Sequence, residues 1–381
     1  MASFAGEFTL QQPERVITGP GRVSTLAREI DRLDRRRAII VTGRTLGASP
    51  LLQRVADPLG ERLVQVFTGS RQHVPDATVC DLTRAIRDLD ADCVISFGGG
   101  SPIDTAKAAI HGLLVEQGTR SQQAPLPVHL AVPTTLSAGE FTAVAGITDE
   151  RTLVKRAVRD PRLVARVVIM DPELTRATPR WLWAASGIRA LDHAIESIYS
   201  SRHHPLGDTL ATKAIQLLVR HLGPSADGPS GDLLDHRGHC QLAAWLSVFG
   251  MVNAGFGLSH VFGHQIGPRW NVPHGVTSCI VLPHAMRFMA SVAARRFGPI
   301  AEGYGIPFDP ANPLPGALAC ADRTRAFIDG LQLPSRLRDV NVPADEAGDI
   351  ATIVHEALED AGAVDRPVAR EELLAVLEAA Y

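Results

Sequence analysis

Cysteine is scarce and scattered, with five residues at positions 80, 93, 240, 279 and 320 and no CxxC pair among them. An odd, dispersed set excludes a disulfide framework and points to a reducing compartment. No stretch reaches the roughly 18–20 unbroken apolar residues of a membrane span. The opening MASFAGEFTL lacks the basic-then-apolar layout of a secretory signal, so a cytoplasmic protein is expected. A surplus of positive charge is also missing. The formal net charge is −3, which leaves no global field to hold nucleic acid or an anionic membrane. The one basic run, Arg32 to Arg37, is interrupted by Asp34 and reads as a solvated helix end. Repeats and low-complexity tracts are absent. What remains is a chain whose expected partner is a small molecule.

At 381 residues, 45% hydrophobic and 21% charged, the chain is too long for one ordinary core and suits two globular domains. The apolar runs 37–42 (RAIIVT), 63–67 (LVQVF), 93–97 (CVISF) and 128–132 (VHLAV) predict buried strands of a parallel sheet. Helical patterns such as 77–88 lie between them. After about residue 171 long helical periods take over: 181–202, 207–222, 235–255, 256–267, 276–303, 317–331 and 344–359. Pro/Gly loops at 223–231 and 305–316 punctuate them. The expected architecture is an α/β dinucleotide-binding domain with a parallel sheet over residues 1–172, followed by an all-α domain over 173–381.

Strand 93–97 runs into Gly98-Gly99-Gly100-Ser101 and then the helical PIDTAKAAI. Glycines let a pyrophosphate approach the backbone, and a helix N-terminus adds free N–H groups and partial positive charge. The motif is not GxGxxG, and a tight strand-to-helix turn is its alternative reading. Its place at the carboxyl end of a parallel strand favours a ligand. A second strand end brings Thr134 and Thr135. The first strand ends at Gly43-Arg44, where NAD-selective enzymes usually carry a carboxylate for the ribose 2′-OH. Gly43 offers none, and Arg44 can pair with a 2′-phosphate or simply face solvent. NADPH acceptance is expected, without exclusion of NADH.

Four of the histidines in the helical half stand out as candidate ligands. His260 and His264 stand i,i+4 on one helix face, His274 follows in NVPHG, and His193 lies on another helix. His203 and His204, before Pro205, mark a loop, and His284 reads as a core or interface residue.

The ordered set FGGGSPIDTAK, VPTT, RALDHAIE, GLSHVFGHQIG, NVPHG and VLPHA resembles the iron-containing alcohol dehydrogenase family over nearly the whole chain. Within it, HVPDATV, RDPRLVARVVIMDPELT, the short PTTLSAGE and the tail RPVAREELLAVLEAAY are most similar to the maleylacetate reductase branch. The resemblance implies the dehydroquinate synthase-like fold, a homodimer, and Gly99, Gly100, Ser101 and Asp104 around the cofactor's ribose and pyrophosphate. Thr134 and Thr135 would lie beside the cofactor, and Lys155 near the nicotinamide ribose. It also implies that His193, His260 and His274 match three family metal ligands, and that His264 matches a histidine close to the reacting carbon.

The fourth metal position departs: where family members that bind iron or zinc carry Asp, this chain has Arg189. A guanidinium about 4 Å from a divalent ion costs about 8 kcal/mol at an effective dielectric near 20. Asp192 is not expected to substitute, because it neighbours His193 and adjacent helical residues do not share a face. The metal is therefore expected to be absent. One arginine carries the same +1 as an aspartate plus a dication, so Arg189 can face an anionic substrate with bidentate geometry. Alternatively it plugs the site by pairing with a carboxylate such as Glu196. The favoured reading is a metal-independent NAD(P)H reductase of a carbonyl or conjugated alkene in an acidic small molecule. There Arg189, His193, His260 and His274 hold developing negative charge and His264 moves the proton. A metal-dependent alcohol dehydrogenase using iron or zinc, and a catalytically silent nucleotide-binding scaffold, are the alternatives.

Overall fold

A computed structural model of the chain describes residues 7–10, 12–118, 125–152, 154–227, 232–361, 364 and 366–381. Two compact units emerge, one over Gln11–Thr178 and the other joining Met1–Leu10 to Pro179–Tyr381.

Among the described residues the first unit holds eight strands: β1 (Arg15–Thr18), β2 (Ala38–Gly43), β3 (Leu63–Ser70), β4 (Cys93–Gly98), β5 (Val128–Pro133), β6 (Val144–Thr148), β7 (Lys155–Arg159) and β8 (Val167–Met170). Six form one sheet in the order β1-β8-β5-β4-β2-β3, and every pairing in it is parallel. Helices α1 (Leu26–Arg32), α2 (Arg44–Gly47), α3 (Leu51–Ala56), α4 (Asp76–Asp88) and α5 (Gly100–Gly118) accompany it. Strands β4, β5 and β8 are buried at every position, as parallel strands covered on both faces require. Alternation sorts the side chains into two layers. Ile40, Ile95, Phe97 and Leu130 pack with Leu26, Ile30 and Leu59 on one face. Ile39, Val41 and Val94 pack with Leu82, Ile86 and Ile110 on the other.

All four expected strands are present, each extended by one to three residues at its carboxyl end. The short strands β1 and β8 and the antiparallel hairpin β6–β7 lie outside the expectation. β1 is a partly exposed edge of four residues and β7 reads KRAVR, so neither shows the continuous apolar run of a central strand.

The second unit is helical: α6 (Arg180–Tyr199), α7 (Pro205–Ala226), α8 (Leu233–Ala254), α9 (Leu258–Arg269), α10 (His274–Ala293), α11 (Gly298–Tyr304), α12 (Pro313–Gly330), α13 (Ala347–Ala361) and α14 (Arg370–Ala380). The α7 helix continues through Pro224 to Ala226, so the loop expected from residue 223 starts later, and residues 228–231 lie outside the described ones. His204 caps α7 by accepting the Leu206 N–H at 3.1 Å. The tail forms a helix of its own, α14, that the periodicity did not suggest. From Trp183 to Tyr199 every residue of α6 is buried, so this helix runs through the unit's core. Among the described residues one stretch, His274–Tyr304, is long and apolar enough to cross a membrane, but 72% of its apolar window is buried inside the protein. It is built as a core helix. Between α8 and α9 the chain turns by 102° at Gly255, whose φ of 77° suits glycine.

Candidate active site

In the α/β unit the chain moves outward from β2 to β3, then returns past β2 to β4 and on to β5. The order of strands thus reverses between β2 and β4, and ligands of open α/β sheets bind at the carboxyl ends flanking such a reversal. Those ends are Gly43 and Gly98. Gly98 has φ 141°, where side chains are strained, and a Cβ there would lie 2.9 Å from Pro102 Cγ. Its carbonyl accepts the Thr134 N–H at 2.8 Å, which ties the glycine turn to the end of β5. A Cβ on Gly99 would sit 3.0 Å from Thr135, and one on Gly100 would sit 3.3 Å from Ser137 Oγ. Side chains here would fill the space over the turn. Helix α5 starts at Gly100 with no acidic residue in its first turn, so its free N–H groups and dipole favour an anion. These features fit a dinucleotide pyrophosphate.

Asp104, one turn into α5, accepts the Gly146 N–H at 3.3 Å and faces the buried Lys107 ammonium at 3.7 Å. Lys155 lies across the same Gly146, its Cε 2.1 Å from where a Cβ would stand. The hairpin therefore brings Lys155 and Asp104 to one place, 51 residues apart in sequence. Lys107 donates to Thr142 Oγ1 at 3.1 Å and to the Val144 carbonyl at 2.6 Å, and burial lowers its pKa. Near it burial pushes the Glu140 carboxyl up to about 7. Arg44 is exposed at the start of α2, and among the described residues it forms no ion pair.

In the helical unit the four expected histidines come together as a chain of rings. His193 on α6 stacks on His260 of α9 at 5.0 Å between centroids. His260 and His264 are 6.3 Å apart, and His264 meets His274 edge-on at 5.7 Å. Phe256 contacts both His260 and His264, at 5.4 and 5.1 Å.

Glu196 organises this cluster. One carboxylate oxygen accepts the Gly257 N–H at 2.9 Å, the other the Ser259 N–H at 2.7 Å. A buried carboxyl group thereby satisfies the first free N–H groups of α9 and faces its positive end. A Cβ on Gly257 would come within 2.5 Å of this carboxyl, which explains a glycine there. Glu196 also bonds His260 Nδ1 at 2.5 Å and the Tyr199 hydroxyl at 3.0 Å, and burial lifts it to about 7. Among the described residues, His260 Nε2 is left buried without a hydrogen-bond partner, as is His193 Nδ1. Burial holds His193 well below the usual imidazole range, and it lowers His260 to about 3 with the Arg189 charge adding to it.

Arg189 lies one turn before His193 on α6 and is buried. Among the described residues its guanidinium makes a single hydrogen bond, from Nη1 to Ser278 Oγ at 3.1 Å. The nearest carboxylate is Asp192, 3.6 Å from Nη1, not Glu196. Asp192 does reach the site, contrary to expectation. It stands i,i+3 from Arg189, a spacing that shares a helix face, and its Oδ2 lies 3.7 Å from His260 Nδ1. The same oxygen accepts the hydroxyls of Ser259 at 2.8 Å and Ser278 at 2.6 Å. The charge of Arg189 is thus partly offset from within its own helix. Asp192, Glu196 and His260 offer ligand atoms within 4.8 Å of one another, a grouping that could hold a metal ion.

The family model for iron-containing alcohol dehydrogenase matches residues 13–172, and that for the Fe-containing alcohol dehydrogenase family C-terminal region matches 183–381. The chain belongs to the iron-containing alcohol dehydrogenase family, in its maleylacetate reductase branch. Maleylacetate reductase 2 of Cupriavidus pinatubonensis (strain JMP 134 / LMG 1197) is 34% identical over 371 residues, 97% of this chain and 95% of that protein. A maleylacetate reductase of Burkholderia cepacia is 32% identical, with 96% and 95% covered. The crystal structure of maleylacetate reductase from Agrobacterium tumefaciens superposes with a TM-score of 0.83 at 25% identity, covering 99% of both chains. This member of the family is an NAD(P)H-dependent reductase. The silent-scaffold alternative falls with that assignment.

Ser259 and Ser278 were not singled out in the sequence, and Asp192 was set aside there. Their only signal was spacing: Asp192 three residues after Arg189, Ser259 beside His260, and Ser278 one turn after His274.

Proposed function

We propose that the chain is a metal-independent NAD(P)H reductase of an anionic carbonyl or conjugated alkene, of the oxo-dicarboxylate kind that the name maleylacetate reductase describes in its relatives. One observation carries the reading: Arg189, at the position of a family metal ligand, is a buried guanidinium whose Nη1 bonds Ser278 and faces Asp192, with the rest of its donor fork uncommitted among the described residues. Such a fork matches a carboxylate or developing oxyanion.

When bound, NAD(P)H supplies a hydride to the electrophilic carbon. Gly98, Gly99, Gly100 and Ser101 would hold its pyrophosphate, Asp104, Thr134, Thr135 and Lys155 its ribose and nicotinamide side, and Gly43 with Arg44 its adenosine end. Arg189, His193, His260 and His274 would bind the substrate's negative charge, and His264 would deliver the proton to the carbon or oxygen left negative by the hydride. Five free cysteines suit a cytoplasmic enzyme, and a homodimer is the assembly the family resemblance suggests.

A divalent ion does not fit these residues as they stand, because Arg189 occupies the place of its carboxylate ligand. The metal-dependent alternative has the Asp192, Glu196 and His260 group in its favour. A carboxylate on His260 Nδ1 with Nε2 left open is also how a metal-bound histidine is oriented. The deciding experiment measures iron and zinc in the purified protein, then turnover of maleylacetate and of a neutral aldehyde before and after EDTA. The proposal expects no stoichiometric metal, EDTA-resistant activity, and preference for the diacid. EDTA-sensitive reduction of the neutral aldehyde by a protein holding one metal per chain would establish the alternative.

A further inference from the structure

Outside the candidate active site, α7 and α8 bring three histidines together that neither the family motifs nor the mechanism uses. His221 Nδ1 lies 2.8 Å from His236 Nδ1. His239, one turn beyond His236, stacks on His221 with ring centroids 4.3 Å apart. Asp235 stands 3.5 Å from His239 Nε2. His221 and His239 border a cavity of about 380 Å³ together with Asp235, Lys213 and Arg220.

We propose that this cluster is a binding site for a divalent transition-metal ion, with His221 and His236 as preformed ligands and His239 joining them by a side-chain rotation. Two imidazole nitrogens 2.8 Å apart either share one proton along the line between them or converge on one ion lying off that line. With metal–nitrogen bonds of about 2.0–2.1 Å, adjacent donors stand about 2.9 Å apart at a right angle and about 3.4 Å apart at a tetrahedral one. The observed separation matches the right angle, which tetragonal copper(II) and nickel(II) adopt with nitrogen ligands. His239 is half-buried at the cavity, where rotamer exchange is fast, and Asp235 is placed to bond whichever ring nitrogen the metal leaves open. Lys213 and Arg220 oppose a bare dication. Hard ions such as magnesium, which rely on charge and oxygen ligands, are therefore rejected, and only the imidazole–transition-metal bond outweighs the repulsion. A bound ion links the two helices and stabilises the fold by mass action.

The test uses untagged full-length protein, stripped with chelator, titrated calorimetrically with nickel(II), copper(II) and magnesium(II), alongside His221→Gln and His236→Gln. Wild type is expected to take up one more equivalent of nickel or copper than either variant, or to bind that equivalent at least tenfold more tightly. Nickel should raise the unfolding midpoint of wild type and not of the variants, with no magnesium binding. Reductase turnover without added metal should be the same in all three. His236 is only half-buried, so His236→Gln carries the test if His221→Gln does not fold. Any ion held by His193, His260 and His274 would appear equally in wild type and variants, which separates this proposal from the reading of the active site. Equal stoichiometry and affinity in wild type and His236→Gln would overturn it, as would magnesium displacing nickel.

Discussion

Replacing Arg189 with aspartate turns the active-site reading into a measurable exchange of one cation for another. At about 4 Å and an effective dielectric near 20, a guanidinium opposes a dication by about 8 kcal/mol. The structure reduces that figure, because Asp192 lies 3.6 Å from Arg189 Nη1. It reduces it only in part, since Asp192 approaches the Nδ1 side of His260 while the open nitrogen is Nε2. If half the repulsion survives, about 4 kcal/mol remains, roughly three decades of affinity. Arg189→Asp removes that penalty and restores an Asp/His/His/His donor set of the kind zinc and other borderline ions favour. Iron or zinc affinity is expected to rise at least a thousandfold. Turnover of an anionic substrate should fall, since a carboxylate now stands where a guanidinium bound it. Wild type and variant are expressed side by side and analysed by metal mass spectrometry and steady-state kinetics. One tightly held iron or zinc per wild-type chain would refute the reasoning, because Arg189 would then swing clear and the repulsion would never act.

Three further outcomes are expected. His264→Ala should lower kcat by roughly 10²–10⁴ with little change in cofactor affinity; normal turnover in a variant that only melts earlier would assign His264 to packing. Wild type should use NADPH at least as well as NADH, and Gly43→Asp should cut NADPH efficiency at least tenfold by placing a carboxylate against the 2′-phosphate. A Cβ there meets the Ser70 carbonyl at 3.4 Å, so the variant should fold, and an unchanged NADPH/NADH ratio would remove Gly43 from the cofactor site. Glu140, raised by burial to about 7 from an unfolded value near 4.5, favours the folded state when protonated. That contribution is full below about pH 4.5 and disappears as pH rises through 7, a span of about 3 kcal/mol. Glu140→Gln should therefore gain stability over wild type at pH 8 relative to pH 5, and parallel denaturant midpoints at the two pH values would contradict it.

The parallel sheet was legible because its central strands are buried on both faces and so read as unbroken apolar runs: RAIIVT, CVISF and VHLAV. The glycine turn after β4 was legible as well, since glycine at a strand end before a helix carries its own conformational signature. Edge strand β1, with Arg15 at its start, and β7, written KRAVR, have no such signature. What makes them strands is a neighbour to pair with. In the same way the i,i+4 pair His260/His264 announced one face of a helix, whereas Asp192 was set aside by a rule about adjacent residues that left its three-residue spacing from Arg189 unconsidered.

By itself the sequence determined the local terms: which segments are apolar with period two or 3.6, where glycine permits a backbone no other residue takes, and that position 189 carries a guanidinium. The tertiary structure alone decided who meets whom. Glu196 caps α9 and holds His260, 64 residues away; Ser278, 89 residues from Arg189, anchors its guanidinium; and Asp104 accepts the Gly146 N–H of the β6–β7 hairpin. None of these pairings follows from spacing along the chain. Each is set by the requirement that buried charges and free N–H groups find partners, and the folded chain supplies those partners from wherever its packing brings them.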